Sequence, residues 1–271
     1  MSSLLPLISI ITPCFNHGKY IQETVDSIRN YNWKIPIEHI IVNDGSTDSG
    51  TLNELNKLKR QDIIVIDQKN GGPSAARNTG IKAARGKYIL PVDADNKIFP
   101  SVFEKAYDLL EQDSTLSVVY TDVEHIGEKE GVWKVGKLKE LSLLNRNQID
   151  TCALIKKGDL IEVGGYDEDI PFRGNEDWEL WLRMMFNNKK FYYLEEVGFQ
   201  YRTLSNSLSR TDSGPNHAVN KDYIVAKHQA AYAAYALKAI EKLTQYEKRQ
   251  QYIRENRIRN IVKILFNKPI L

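Results

Sequence analysis

Four short runs of apolar, mostly β-branched residues punctuate the first hundred positions with little polar alternation inside them: Leu7-Ile8-Ser9-Ile10-Ile11, His39-Ile40-Ile41-Val42, Ile63-Ile64-Val65-Ile66 and Tyr88-Ile89-Leu90-Pro91-Val92. A strand with one wet face alternates, whereas a continuous apolar run fits a strand buried on both faces. Between these runs the spacing changes to three and four. Ile21, Val25 and Ile28 share one face of a helix over 20–31, a second helix covers 52–58, and a third starts at Ser74 and runs through Ala76, Gly80 and Ala84. Strand, loop and helix repeating in this order predict an α/β fold with a parallel sheet covered on both faces.

Each apolar run stops in a polar cluster. Thr12-Pro13 halts the first, because proline cannot continue a central strand. Asn43-Asp44-Gly45-Ser46-Thr47-Asp48 follows the second, Asn70-Gly71-Gly72-Pro73 opens the third helix, and Asp93-Ala94-Asp95 ends the fourth strand. Ligands of open α/β sheets bind at the carboxyl ends of the strands, where all these clusters fall.

The second half is less regular. It reads as a helix over 101–110, a strand over 116–122 and a polar, Lys-rich surface excursion over 127–149. A strand over 151–155, a short helix over 160–163 and the turn Gly164-Gly165-Tyr166-Asp167 come next. Asn175-Glu176-Asp177 precedes an amphipathic helix over 178–186, β-like stretches cover 191–194 and 198–202, and the chain is helical from His217. The domain organisation expected is two halves of one domain, 1–100 and 101–211, with a helical extension over 212–271.

Composition narrows the class. With 37 Lys and Arg against 35 Asp and Glu in 271 residues, no basic excess points to nucleic acid. Cys14 and Cys152 stand far apart without metal-ligand spacing, which favours buried free thiols over a disulfide framework or zinc site. The N-terminus lacks a basic region and reads as the lead into a strand, and no apolar run reaches the ~18 residues of a membrane span. The expected location is cytoplasmic.

Chemistry concentrates in three places. Asp93 and Asp95, one residue apart at a strand end, can converge on Mg2+ or Mn2+, although such a pair is also a common solvated turn. Asp44 to Asp48 starts like a calcium loop, but Ser49 and Leu55 stand where that loop needs Gly and Glu, leaving Asp48 as a helix cap. The stretch Gly71 to Asn78 fits neither a dinucleotide fingerprint nor a P-loop, yet Arg77 is placed to meet a phosphate or a carboxylate. Glu176-Asp177 is either a helix-start acid pair or a general base, while Trp178 and Trp181 read as core before they read as sugar platforms.

Taken in order, Ile8 to Asn16, Val42 to Asp48, Ala76-Arg77-Asn78-Thr79-Gly80, Asp93-Ala94-Asp95, Gly164 to Asp167 and Glu176-Asp177 resemble the inverting glycosyltransferase family 2 over about residues 5–210. The resemblance implies a GT-A fold, with 1–100 as the nucleotide-sugar half and 101–211 as the acceptor half. It implies Thr12, Pro13, Phe15, Asp44, Gly72, Arg77, Asp93, Ala94 and Asp95 around the donor, with Asp95 on a divalent cation and Asp93 on that cation or on the ribose. Asp177 would be the catalytic base and Glu176 would position the acceptor, which is a carbohydrate, a lipid-linked sugar or a glycoprotein.

Two positions depart from the pattern. Asn43 replaces an acid common in relatives, and Leu204 stands where a His often follows Tyr201-Arg202; His217 is either a substitute for it or a plain surface residue. At the C-terminus, Ile258, Ile261, Val262 and Leu265 form an apolar face flanked by Arg254, Arg257, Arg259 and Lys263. Such a helix packs on its own domain, on a second copy, or on an anionic membrane surface. The alternatives to sugar transfer are a non-catalytic sugar-nucleotide scaffold and a sugar-1-phosphate nucleotidyltransferase. The loop Thr12 to Asn16 lacks the Gly, Arg and Lys that the latter carries.

Overall fold

The computed structural model describes residues 6–60, 63–204 and 213–256. Four parallel strands form its centre: β1 (Ile8–Cys14), β2 (Ile37–Asp44), β3 (Ile64–Gln68) and β4 (Tyr88–Pro91). β1 lies between β2 and β4, and Ile8, Ile10 and Ile11 are fully buried on its two faces. That double burial is the reason the sequence runs apolar without alternation.

The sheet continues past β4 through β8 (Leu154–Lys156), β6 (Leu116–Gly127), β9 (Lys190–Thr203) and β5 (Lys97–Ile98), with β7 (Gly131–Trp133) on β6. β8 is antiparallel to both neighbours, whereas β9 runs parallel to β6. The order expected from the sequence is extended here by a second, mixed half.

α1 (Gly18–Arg29), α2 (Ser49–Lys59) and α4 (Pro100–Gln112) bury Ile21, Ile28, Leu58 and Phe103 on one side of the sheet. α3 (Gly72–Ala83) packs on β1 and β2 from the other side, where Gly80 lets Ile11 approach. A Cβ on Gly80 would stand 2.4 Å from Ile11 Cγ2. Asp48 caps α2 through a 2.7 Å bond from Thr51 N–H, as its position before the helix predicts.

Several boundaries differ from the sequence expectation. α3 begins at Gly72, two residues before Ser74, because Pro73 occupies the first turn, where no N–H is needed. The segment 127–149 is no simple excursion: it holds β7 and α5 (Glu140–Leu143), and it buries Leu143 and Ile149. The two β-like stretches at 191–202 are one strand with bulges, β9. A six-residue helix, α6 (Lys157–Glu162), follows β8, and α7 (Glu176–Phe186) starts at Glu176, which puts Asp177 inside its first turn.

The chain forms two compact units, residues 1–224 and 225–271. The first unit takes in most of α8 (Ser213–Lys227): Asn220 is fully buried and trades hydrogen bonds with the backbone of Phe172. The structural boundary thus falls after Ile224, later than residue 212. In the second unit, α9 (Gln229–Glu255) has no buried residue. No helix among the described residues is long and apolar enough to cross a membrane. The apolar face from Ile258 to Leu265 lies outside the described residues.

Candidate active site

The loops at the carboxyl ends of β1, β2 and β4 are stitched to one another. Asn16 Oδ1 accepts from Thr47 and Asp48 N–H at 2.8 and 3.0 Å, which ties the β1 loop to the β2 loop. Asp44 receives Gln68 Nε2 at 2.7 Å, Gly71 N–H at 2.8 Å and Gly72 N–H at 2.9 Å, so the carboxylate shapes the glycine turn ahead of α3. Gly72 holds φ +87°, a conformation that glycine adopts at little cost.

The turn Asp93-Ala94-Asp95 is pinned from three directions. Thr24 Oγ1 donates to Ala94 O, Arg202 Nε donates to Asp95 O, and Val92 N–H bonds Ile11 O. Asn78 reaches the Gly164-Gly165 turn, donating to Tyr166 O and accepting from Tyr166 N–H, both at 2.8 Å. Two separate sequence motifs therefore meet through one side-chain amide.

These loops and the start of α7 enclose a cleft of about 640 Å³. Pro13, Phe15, Asp44, Arg77, Asp93, Ala94, Asp95, Glu176 and Asp177 all line it. Of the residues expected there, Thr12 turns inward: it is fully buried with its hydroxyl 2.9 Å from His39 Nε2. Gly72 faces an adjoining pocket beside Phe172 and Arg173. Trp178 and Trp181 are fully buried core residues, as their helical spacing predicts. His217 stacks on Trp178 with ring centroids 5.5 Å apart.

At the centre of the cleft is Arg77. Its buried guanidinium donates to Asp93 Oδ1 at 2.8 Å and to Glu176 Oε1 at 2.9 Å, and it lies over the Tyr166 ring. It thus meets carboxylates, one of the two partners its chemistry allowed, and joins the strand-end acids to the helix-start acids. The second oxygen of Glu176 accepts from Gly174 N–H at 2.7 Å.

Three other carboxyls are left with more negative surroundings. Burial and then the charge of Asp93 push Asp95 up to about 6, with His17 and Arg202 pulling the other way. Burial, followed by the charge of Glu176, raises Asp177 to about 7. Burial and the charge of Asp93 raise Asp150 to about 8. Each departure marks a group whose ionised form is costly where it stands.

The pair Asp93 and Asp95 supplies oxygen donors suited to a hard divalent cation, and the excess negative charge at Asp95 is what such a cation relieves. Among the described residues, no cluster of three or more His, Cys, Asp or Glu is arranged to hold a metal. The donor set fits a cation held by one or two carboxylates that takes its other ligands from phosphate and water.

Asn147 and Asp150 also line the cleft and carried no sequence signal. Both sit in the stretch that reads as surface excursion and its edge, and only the apolar company of Ile149, Cys152 and Ala153 around Asp150 hints at burial. Cys14 and Cys152 are free and buried.

The sheet with helices on both faces and an acidic cleft at its strand ends has the layout of the GT-A fold. The family model described as glycosyl transferase family 2 matches residues 9–164, more than half of the chain. This chain belongs to glycosyltransferase family 2. It is 30% identical over 262 residues to the uncharacterized glycosyltransferase EpsJ of Bacillus subtilis, covering 86% of this chain and 70% of that protein. A shorter stretch of 119 residues is 38% identical to chondroitin synthase of Pasteurella multocida, 43% of this chain and 12% of that one.

Among solved structures it is similar to S. aureus TarS 1–349 in complex with UDP-GlcNAc, with TM-score 0.60, 21% identity, and 74% and 60% of the two chains covered. The mannosyltransferase PcManGT of Pyrobaculum calidifontis, in complex with GDP-Man and Mn2+, gives TM-score 0.56 at 17% identity, with 98% and 89% covered. The chain spans 60% of TarS 1–349 and only 33% of a glycosyltransferase of Rickettsia bellii that it matches.

Proposed function

We propose that the protein is a metal-dependent, inverting glycosyltransferase that moves a sugar from a nucleotide-sugar, UDP-linked in the first instance, to a hydroxyl of a carbohydrate, lipid-linked or glycoprotein acceptor. One geometric fact carries this proposal: Asp93 and Asp95 at the end of β4 face the same cleft as Asp177 at the start of α7. A carboxylate base at one end and a cation-binding pair at the other match the charge flow of a displacement at an anomeric carbon.

Pro13 and Phe15 give an apolar wall on which a nucleobase would rest, and Asp44 lines the same cleft. Bound by Asp95 and Asp93, Mn2+ or Mg2+ would supply positive charge for a departing diphosphate. Asp177 takes the proton of the acceptor hydroxyl as that oxygen bonds to the anomeric carbon. The bond to the nucleoside diphosphate breaks with its electron pair on the phosphate oxygen, and attack from the opposite face inverts the configuration. A base at about 7 is matched to this task near neutral pH, because about half of it is ionised there and it still holds a proton well. Glu176, held by Arg77 and Gly174 N–H, keeps the acceptor side in shape.

The UDP-GlcNAc of TarS and the GDP-Man and Mn2+ of PcManGT support a nucleotide-sugar donor and a divalent cation. A screen of UDP-, GDP- and dTDP-sugars for nucleotide release, with and without Mn2+, tests the proposal. Release of one nucleotide that depends on the cation is expected; binding without release from any donor would favour a scaffold subunit instead.

A further inference from the structure

Asp177 is held by a partner outside its own helix. Asn147 Nδ2 donates to Asp177 Oδ2 at 2.7 Å. The amide is not free to turn over, because Asn147 Oδ1 already accepts from Gln148 N–H at 2.8 Å and from Ile149 N–H at 3.2 Å. With its acceptor end committed to the loop backbone, the amide presents its donor end to the carboxylate.

The loop that carries Asn147 is fastened to the helix that carries Asp177. Trp178 Nε1 donates to Leu143 O at 2.7 Å and Trp181 Nε1 donates to Ile149 O at 2.9 Å, one bond on each side of Asn147. Both tryptophans are fully buried, so these bonds are shielded from water. The segment 143–149 and the first turns of α7 are thereby locked together, with the Asn147–Asp177 contact between them.

We infer that Asn147 is a positioning residue for the base: its amide fixes the direction of the Asp177 carboxylate in the cleft and favours its charged form. The inference rests on the reading of Asp177 as the base. Burial and the neighbouring Glu176 oppose ionisation of Asp177, while the Trp178 N–H, the Arg77 guanidinium and the Asn147 amide favour it. The Asn147 bond offsets part of that opposition. It also restrains the terminal torsion of Asp177, which is otherwise broad.

Two variants separate this role from loop support. Asn147→Asp retains an oxygen for the Gln148 and Ile149 N–H groups but replaces the donor with a carboxylate oxygen, whereas Asn147→Ala removes both functions. The readouts are the titration of the Asp177 carboxyl by carbon NMR, its signal assigned with Asp177→Asn, and the pH profile of sugar transfer. In both variants the Asp177 midpoint should rise by about one pH unit or more. Transfer should fall about tenfold near pH 6 and recover to within about threefold of wild type near pH 9, with the donor KM unchanged. An Asp177 midpoint that stays in place, or a loss of transfer equal at every pH, would overturn the inference. A midpoint that moves while the pH profile does not would sink the base assignment itself, a failure distinct from that of the Asn147 contact.

Discussion

Arg77 balances the charges of the cleft. It is 4% exposed and bonded to one acid from the strand end and one from the helix start. Breaking a buried ion pair by removing one partner costs about 3–5 kcal/mol, because the remaining charges stay uncompensated. Arg77→Met should therefore lower the unfolding free energy by roughly 3 kcal/mol in a urea titration, and an unchanged midpoint would contradict this balance. Arg77→Lys should rescue little, since a single ammonium lacks the fork that spans both carboxylates.

The base role proposed for Asp177 makes predictions at the same scale, through its proton. Asp177→Asn should retain donor binding and lose transfer by about 10²-fold or more. The wild-type rate should fall as pH drops through about 7, because the protonated carboxyl cannot accept the acceptor's proton. A flat profile between pH 5 and 8 would count against Asp177 in this role.

Among elements, the contact of α3 with β1 sets the site, because Arg77 and Asn78 ride on that helix. Gly80 makes the approach possible. Gly80→Ala forces a methyl against Ile11 and should cost about 1–3 kcal/mol, checked by thermal unfolding; a stabilised variant would mean that the helix is free to shift. The strands and helices of the first hundred residues could be read from the sequence because their signal is local: continuous apolar runs, helical spacing, and a proline or glycine at each end. The polar clusters at the strand ends were legible for the same reason.

What escaped lies in contacts between distant residues. Leu143 and Ile149 are buried where Trp178 and Trp181 reach across to their carbonyls, and nothing within 127–149 announces this. Thr12 resembles a site residue by position, yet its hydroxyl turns to His39, 27 residues away. β8 is antiparallel because it pairs with β4 and β6, a choice made by topology and invisible in a three-residue strand.

For the molecule as a whole, the cleft is a concentration of carboxyls that costs stability when ionised. Asp150, raised to about 8 by burial and by the charge of Asp93, is the plainest case. A carboxyl raised in the folded state contributes stability that is full below its unfolded pKa, near 4, and lost as pH rises through about 8. Asp150→Asn removes that loss. Its melting temperature should match wild type near pH 4 and exceed it increasingly toward pH 8, by ~2–4 °C for each kcal/mol recovered. A difference independent of pH would mean that Asp150 does not titrate this way.

On the proposed reading, the charge that Asp93 and Asp95 crowd together is what a divalent cation would offset. Calorimetric titration of UDP into wild type, Asp95→Ala and Asp177→Asn, with Mn2+ and with EDTA, tests that account most directly. Wild type and Asp177→Asn should bind UDP with similar affinity in Mn2+, and binding should vanish in EDTA and in Asp95→Ala. Equal binding in EDTA, or full binding by Asp95→Ala, would contradict it.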